Sequence, residues 1–192
     1  EPAGTPGTGC GWIDNKDDLH LWDELGPDEV WRRYVDDWCR ACESPLDFDV
    51  MAHPDLAMRF ANEGYAPTGD LTPLWDRMVE CAHDTGRRIE VSTGGKRKRI
   101  FQDIYFSVEA TKRVLDYYPT RRLLERFCRA GVPITFGSDA HRQSHVCWGI
   151  LEAQAFAHEC GYRTFDIPRA DGSWHRVPLG QNWQLAAPAP VR

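Results

Sequence analysis

Asp139 and His141 are the residues in this chain best suited to chemistry. They lie in Gly137-Ser138-Asp139-Ala140-His141, directly after the apolar, β-rich run Val132-Pro133-Ile134-Thr135-Phe136. That run reads as a buried strand. Continued as extended chain, it would put both side chains on one side, about 7 Å apart along the strand. A carboxylate and an imidazole at a strand's carboxyl end suit a divalent metal, and metal-assisted hydrolysis is the chemistry such a pair implies. His53-Pro54-Asp55, after the short run Phe48-Asp49-Val50-Met51-Ala52, offers a second pair at another strand end. Two readings stay open on residue types alone. The pairs converge on zinc, manganese or iron, or His53 caps a strand while Asp139 accepts from loop amides.

The elements that must position these residues follow from periodicity and punctuation. Val30, Tyr34, Val35, Trp38, Cys39 and Cys42 recur at helical spacing after Gly26-Pro27. Thr72-Pro73 opens a second helix with Leu74, Met78, Val79 and Ala82 on its apolar face and Gly86 as its stop. Arg88-Ile89-Glu90-Val91-Ser92 is a strand running into Thr93-Gly94-Gly95. Pro119 opens a helix through Leu123, Leu124, Phe127 and Cys128 that Gly131 ends. A last helix is expected from about Val146 to Cys160. Helices alternating with strands imply a parallel sheet with helices packed outside it. Polar residues at the strands' carboxyl ends fit a (β/α) barrel, and a complete one needs about 200–250 residues. The stretch Ile100–Leu115 is read as a lid over the strand ends or an extra surface helix.

Composition narrows the class. The 192 residues carry 42% hydrophobic and 11% aromatic content and a net charge of -6, as expected of one soluble domain with a real core. The only basic cluster is Lys96-Arg97-Lys98-Arg99, so no nucleic-acid partner is expected. No apolar run reaches the roughly 20 residues that span a bilayer, so no membrane partner is expected either. Seven scattered cysteines point to reduced thiols and a cytoplasmic location. Cys39 and Cys42 form a C-x-x-C, but within a helical pattern and with no second pair. The opening Gly- and Pro-rich segment 1–10 and the tail 181–192 are expected to be flexible, flanking a domain over 11–180. His20, His83 and His158 lie in loop or helix settings with little claim on a site, and His145 could line one. Most of the Trp residues sit where packing is their natural role.

An ordered set of segments resembles the PHP family of phosphoesterases, closest to the histidinol-phosphatase type. The segments are Val50-Met51-Ala52-His53-Pro54-Asp55, Ile89-Glu90-Val91-Ser92-Thr93-Gly94-Gly95-Lys96-Arg97-Lys98, Tyr118-Pro119-Thr120 with Leu123-Leu124, and Gly131 through His141. The similarity runs from about residue 11 to about residue 165 and resembles the C-terminal two-thirds of the family's domain. The resemblance implies an α/β fold, a distorted (β/α)7 PHP barrel whose N-terminal strands are missing from this chain. It implies His53, Asp139 and His141 as metal ligands, Asp139 also as a catalytic group, and Arg97 as the arginine aimed at substrate phosphate. The alternative for Arg97 is an ordinary solvated charge. Glu90 is read as a core carboxylate or one supporting the ligands.

The implied cofactors are divalent Zn, Mn or Fe, about two or three ions in a complete domain. The implied partner is a small-molecule phosphomonoester. The function implied is a metal-dependent phosphomonoester hydrolase, a histidinol-phosphatase of histidine biosynthesis. The alternatives are a PHP phosphoesterase for a nucleotide or sugar phosphate, a non-catalytic PHP module, and an unrelated metal-dependent barrel hydrolase. The family's His-x-His, its mid-chain Glu and a further ligand His have no counterpart here, so this chain by itself is expected to bind metal weakly and turn over little. Ser92 stands where the family usually has Asn, and the stretch 100–117 is longer than usual.

Overall fold

The computed structural model describes residues 12–98 and 117–180. The expectations for 1–10, for the 100–115 stretch and for the tail lie outside the described residues. Gly26, at φ 77°, separates α1 (His20–Leu25) from α2 (Pro27–Cys42), and Pro27 starts the second helix with its φ already fixed. The spacing read from the sequence is the buried face of α2: Val30, Trp31, Val35, Trp38, Cys39 and Cys42. A short strand β1 (Val50–Met51) follows, then a 3-10 segment Leu56–Glu63. Helix α3 (Thr72–Thr85) ends on Gly86 in the left-handed conformation, as its glycine stop requires.

Strand β2 (Arg88–Ser92) runs directly into the short helix α4 (Gly94–Lys98). Helix α5 (Arg121–Arg129) and strand β3 (Ile134–Gly137) come next. The last helix, α6 (Ile150–Glu159), starts later than Val146 because Gln143–His145 forms a 3-10 turn and Gly149 adopts φ 70°.

The three strands form a parallel sheet in the order β1-β2-β3. The alternation of helix and strand thus produces the parallel pairing it implied. Ile89 pairs with Ile134 and Val91 with Phe136, so these apolar residues share one face. Glu90 pairs with Thr135 and Ser92 with Gly137 on the other, polar face. Among the described residues the parallel sheet has these three strands and does not close into a barrel.

The chain adds an element the sequence reading did not assign. Strands β4 (Thr164–Pro168) and β5 (Trp174–Pro178) form an antiparallel hairpin. Its turn contains Asp171-Gly172, with Gly172 at φ 82°. Phe165 of β4 meets Phe136 of β3 edge to face at 5.0 Å. Trp174 lies in β5, under the Arg88 guanidinium at 4.2 Å.

Trp22, Trp31, Trp38 and Trp75 are buried in the core, as packing residues should be, whereas Trp148 is 41% exposed. Cys39, Cys42, Cys81 and Cys160 are buried and Cys147 is exposed. Burial raises the Cys39 and Cys42 thiols above their ordinary pKa, so the C-x-x-C pair is held protonated at neutral pH. Among the described residues no helix is long and apolar enough to cross a membrane.

Candidate functional site

Parallel pairing brings the carboxyl ends of β1, β2 and β3 to one edge of the sheet. Those ends lead into His53, Thr93 and Asp139, so the edge collects the polar residues the sequence singled out. Thr93 N–H donates to the Gly137 carbonyl at 3.0 Å and extends the β2–β3 pairing to the turn.

Extended geometry does not continue to His141. Strand β3 stops at Gly137, and Asp139 turns into the left-handed region at φ 49°. The turn brings His141 Nδ1 to 3.6 Å from the Asp139 carboxylate, closer than the spacing expected of a strand. His141 Nδ1 also lies 2.8 Å from the Asp139 carbonyl oxygen. A carbonyl only accepts, so Nδ1 donates in this contact, and in the neutral ring the lone pair lies on Nε2. The imidazole is 72% exposed, leaving Nε2 open to a ligand.

Arg97 fixes the same turn. Its Nη1 donates to the Ser138 carbonyl and its Nη2 to the Asp139 carbonyl, each at 2.7 Å. Nη2 also lies 3.4 Å from Asp139 Oδ2. The Arg97 side chain is only 19% exposed, so it is a clamp on the β3 turn rather than a solvated charge.

Gly94 sets how closely α4 approaches. A Cβ built there would lie 2.8 Å from Asp139 Oδ2 and 3.2 Å from Ser92 Oγ. Buried Ser92 accepts the Gly94 N–H at 3.2 Å, so this serine serves the backbone of the β2–α4 turn. Gly94→Ala is expected to displace the Asp139 carboxylate. If the edge carries a reaction, a displacement on the roughly 1 Å scale would lower its rate about 100-fold. Kinetics beside a melting curve would check it, with any loss of rate expected to far exceed the loss of stability.

His53 forms the second corner. Its φ of 28° is unusual for a residue with a side chain, and such a conformation costs on the order of 1–3 kcal/mol. Both of its backbone groups are tied. Its N–H donates to Glu90 Oε2 at 3.2 Å, and its carbonyl accepts from the Tyr34 hydroxyl at 3.1 Å. Its ring meets Tyr118 edge-on at 6.3 Å. The fully buried Asp55 takes the Thr120 N–H at 2.7 Å and joins this loop to the start of α5. Burial, and then the Asp55 charge, push the Tyr34 and Tyr118 phenols well above their ordinary range, so both stay protonated.

Tyr34 and Tyr118 are contributors the residue-type reading missed. Tyr34 appeared only as part of a helical stripe, and Tyr118 only inside Tyr118-Pro119-Thr120. His145 is half-buried on the turn after His141, with Nδ1 facing inward and no hydrogen-bond partner among the described residues. His20, His83 and His158 are exposed. A cavity of about 170 Å³ opens beside Pro133, Tyr162 and Asp166, near the amino end of β3 and so away from Asp139.

The Asp139 carboxylate and a His141 Nε2 freed by the Nδ1–carbonyl bond suit one corner of a divalent centre. Among the described residues, however, no group of three or more His, Cys, Asp and Glu side chains is arranged to hold an ion. The pair fits as a corner and does not make a complete centre by itself.

These elements define an α/β chain with a small parallel sheet and polar residues gathered at its carboxyl edge. A solved structure shares that fold: the proposed histidinol phosphatase HisK of Listeria monocytogenes, at 15% identity and a TM-score of 0.58. The match covers 71% of this chain and 50% of that one, so the chain spans about half the length of this neighbour. No family model and no curated protein matches the sequence.

Proposed function

We propose that this chain carries the Asp139–His141 corner of a metal-dependent phosphomonoester hydrolase acting on L-histidinol phosphate. The observation that carries the reading is the left-handed turn at Asp139. That turn joins a carboxylate, an exposed imidazole and a half-buried guanidinium at one strand end. Two supports stand beside it: the ordered PHP-like segments in the sequence, and the fold shared with a protein that bears the histidinol phosphatase name.

Asp139 and His141 would supply one corner of the metal site, whereas His53, at the end of β1 with β2 between, is not grouped with them among the described residues. A bound divalent cation supplies Lewis-acid polarisation and an acidified water. Arg97 keeps the corner in place through two carbonyls. Its contacts among the described residues leave Nε and one Nη1 hydrogen available for phosphoryl oxygens. His141 donates from Nδ1 to the Asp139 carbonyl, which leaves Nε2 as the ring nitrogen that would serve as a ligand.

A non-catalytic module with the same fold is the second reading, and the absence of a three-ligand group among the described residues favours it. The two are separated by assaying phosphate release by the protein that carries this chain. The panel is L-histidinol phosphate with nucleotide and sugar monophosphates, in Mn²⁺, Zn²⁺ or Fe²⁺. Metal-dependent release with a preference for L-histidinol phosphate is expected. Equal rates across the panel would remove the substrate assignment, and no release from any member would leave the non-catalytic module.

A further inference from the structure

The carboxylate at the centre of the polar sheet face has a different task from the groups at its edge. Glu90 stands on the middle strand, between the two strand ends that bear His53 and Asp139. On one side its Oε2 accepts the His53 N–H at 3.2 Å. On the other side the carboxylate fills the space over Gly137. A Cβ there would lie 1.8 Å from Glu90 Oε1 and 2.7 Å from its carboxyl carbon. No side chain at 137 can coexist with Glu90 in this position, so the glycine and the glutamate are a matched pair. Gly137 is the last residue of β3, two before the left-handed Asp139.

We infer that Glu90 is the positioning residue of the site, locking the left-handed turn at His53 to the end of β3 so that the two corners keep one relative placement. The inference rests on the reading of this edge as a phosphomonoester hydrolase site and adds the device that holds it together. Three observations point the same way. His53 adopts a conformation its side chain disfavours, so something must hold it, and the Glu90 oxygen that accepts its N–H at 3.2 Å is placed to do so. The His53 carbonyl is held separately by Tyr34, which leaves Glu90 to fix the amide. On the far side, Asp139 is held by Arg97, whose hydrogen bonds among the described residues go to residues 138 and 139 of the β3 turn. Glu90 supplies the cross-strand connection. Nothing in this role needs charge transfer or a proton from Glu90; it needs an acceptor oxygen at that distance from β2.

The test compares Glu90→Gln, Glu90→Met and Gly137→Ala in the protein that carries this chain. Gln keeps an acceptor of equal reach, Met keeps the volume without a strong acceptor, and the alanine at 137 evicts the carboxylate. Hydrogen exchange of the His53 amide and the separate kcat and KM for L-histidinol phosphate are the readouts. Met and Gly137→Ala are expected to speed His53 exchange and lower kcat by about 10–100-fold with KM little changed, the range for groups that orient ligands. Gln is expected to stay within about 3-fold of wild type in both readouts, far inside that range. If Gly137→Ala does not fold, the Gln and Met pair decides the matter.

Unchanged exchange and kcat in Glu90→Met would overturn the inference. Gln as damaging as Met would overturn it too, because charge and not placement would then be the requirement. If wild type releases no phosphate, the hydrolase reading fails, and His53 exchange in Gln against Met still decides the role of Glu90.

Discussion

Asp139→Asn is expected to lower metal-dependent phosphate release roughly 100-fold or more while leaving folding stability within about 1 kcal/mol of wild type. The separation follows from where the strain and the charge reside. Asp139 holds φ 49°, a conformation that Asn tolerates better than most residues, so the turn after β3 survives the change. The Arg97 clamp survives as well, because its two short bonds go to the carbonyls of residues 138 and 139 rather than to the carboxylate. What disappears is the negative charge beside His141, 3.6 Å from its Nδ1. An amide oxygen can ligate but brings no charge, so it holds a divalent cation more weakly than the carboxylate it replaces. Kinetics run beside a melting curve check the prediction. A variant that melts as wild type and also turns over as wild type would remove Asp139 from the chemistry.

The largest effect on stability is expected at Asp166, which the sequence reading did not single out. Its carboxylate, 4% exposed, takes Arg88 Nε at 3.0 Å and Arg176 Nε at 2.9 Å. Arg88 belongs to β2 and Arg176 to β5, so one carboxylate ties the hairpin to the parallel sheet. Arg176 is 64% exposed and its pairing adds little, since water already solvates and screens it. Arg88 is 18% exposed and pinned over the Trp174 ring, so without Asp166 it keeps only the exposed Asp49 carboxylate, 4.0 Å away. Asp166→Ala is expected to cost about 3–5 kcal/mol, the range for breaking a buried pair by removing one partner. Asp166→Asn keeps an acceptor and should cost less. Urea denaturation of both variants checks this. A loss under about 1 kcal/mol for the alanine would show that the hairpin is held by Phe165 and its neighbours instead, because well-solvated pairs fall in that lower range.

These two residues also show what was legible in the sequence. Helices α2 and α3 could be read because their buried faces repeat every three to four residues and because Pro27, Pro73 and Gly86 mark their ends. The carboxyl-end location of Asp139, His141 and His53 was legible too, since each follows a β-rich run. Their geometry was not. A left-handed φ at His53 or Asp139 leaves no mark in residue type, and the extended spacing expected for Asp139 and His141 failed at that bend.

Glu90 and Gly137 form a pair only across strands, and Asp166 meets Arg88 from 78 residues away in sequence. Such contacts are set by the packing of distant elements, which local patterns do not encode. The hairpin did have a local signal, Asp171-Gly172 between short alternating runs. It was obscured by strands only five residues long.

The central claim is that a phosphomonoester is cleaved at the carboxyl edge around Asp139. Its most direct test is phosphate release from L-histidinol phosphate by the metal-loaded protein that carries this chain, measured before and after chelation. The account predicts turnover that chelation abolishes and that added metal restores in wild type but not in Asp139→Asn. Release that survives both chelation and Asp139→Asn would contradict it.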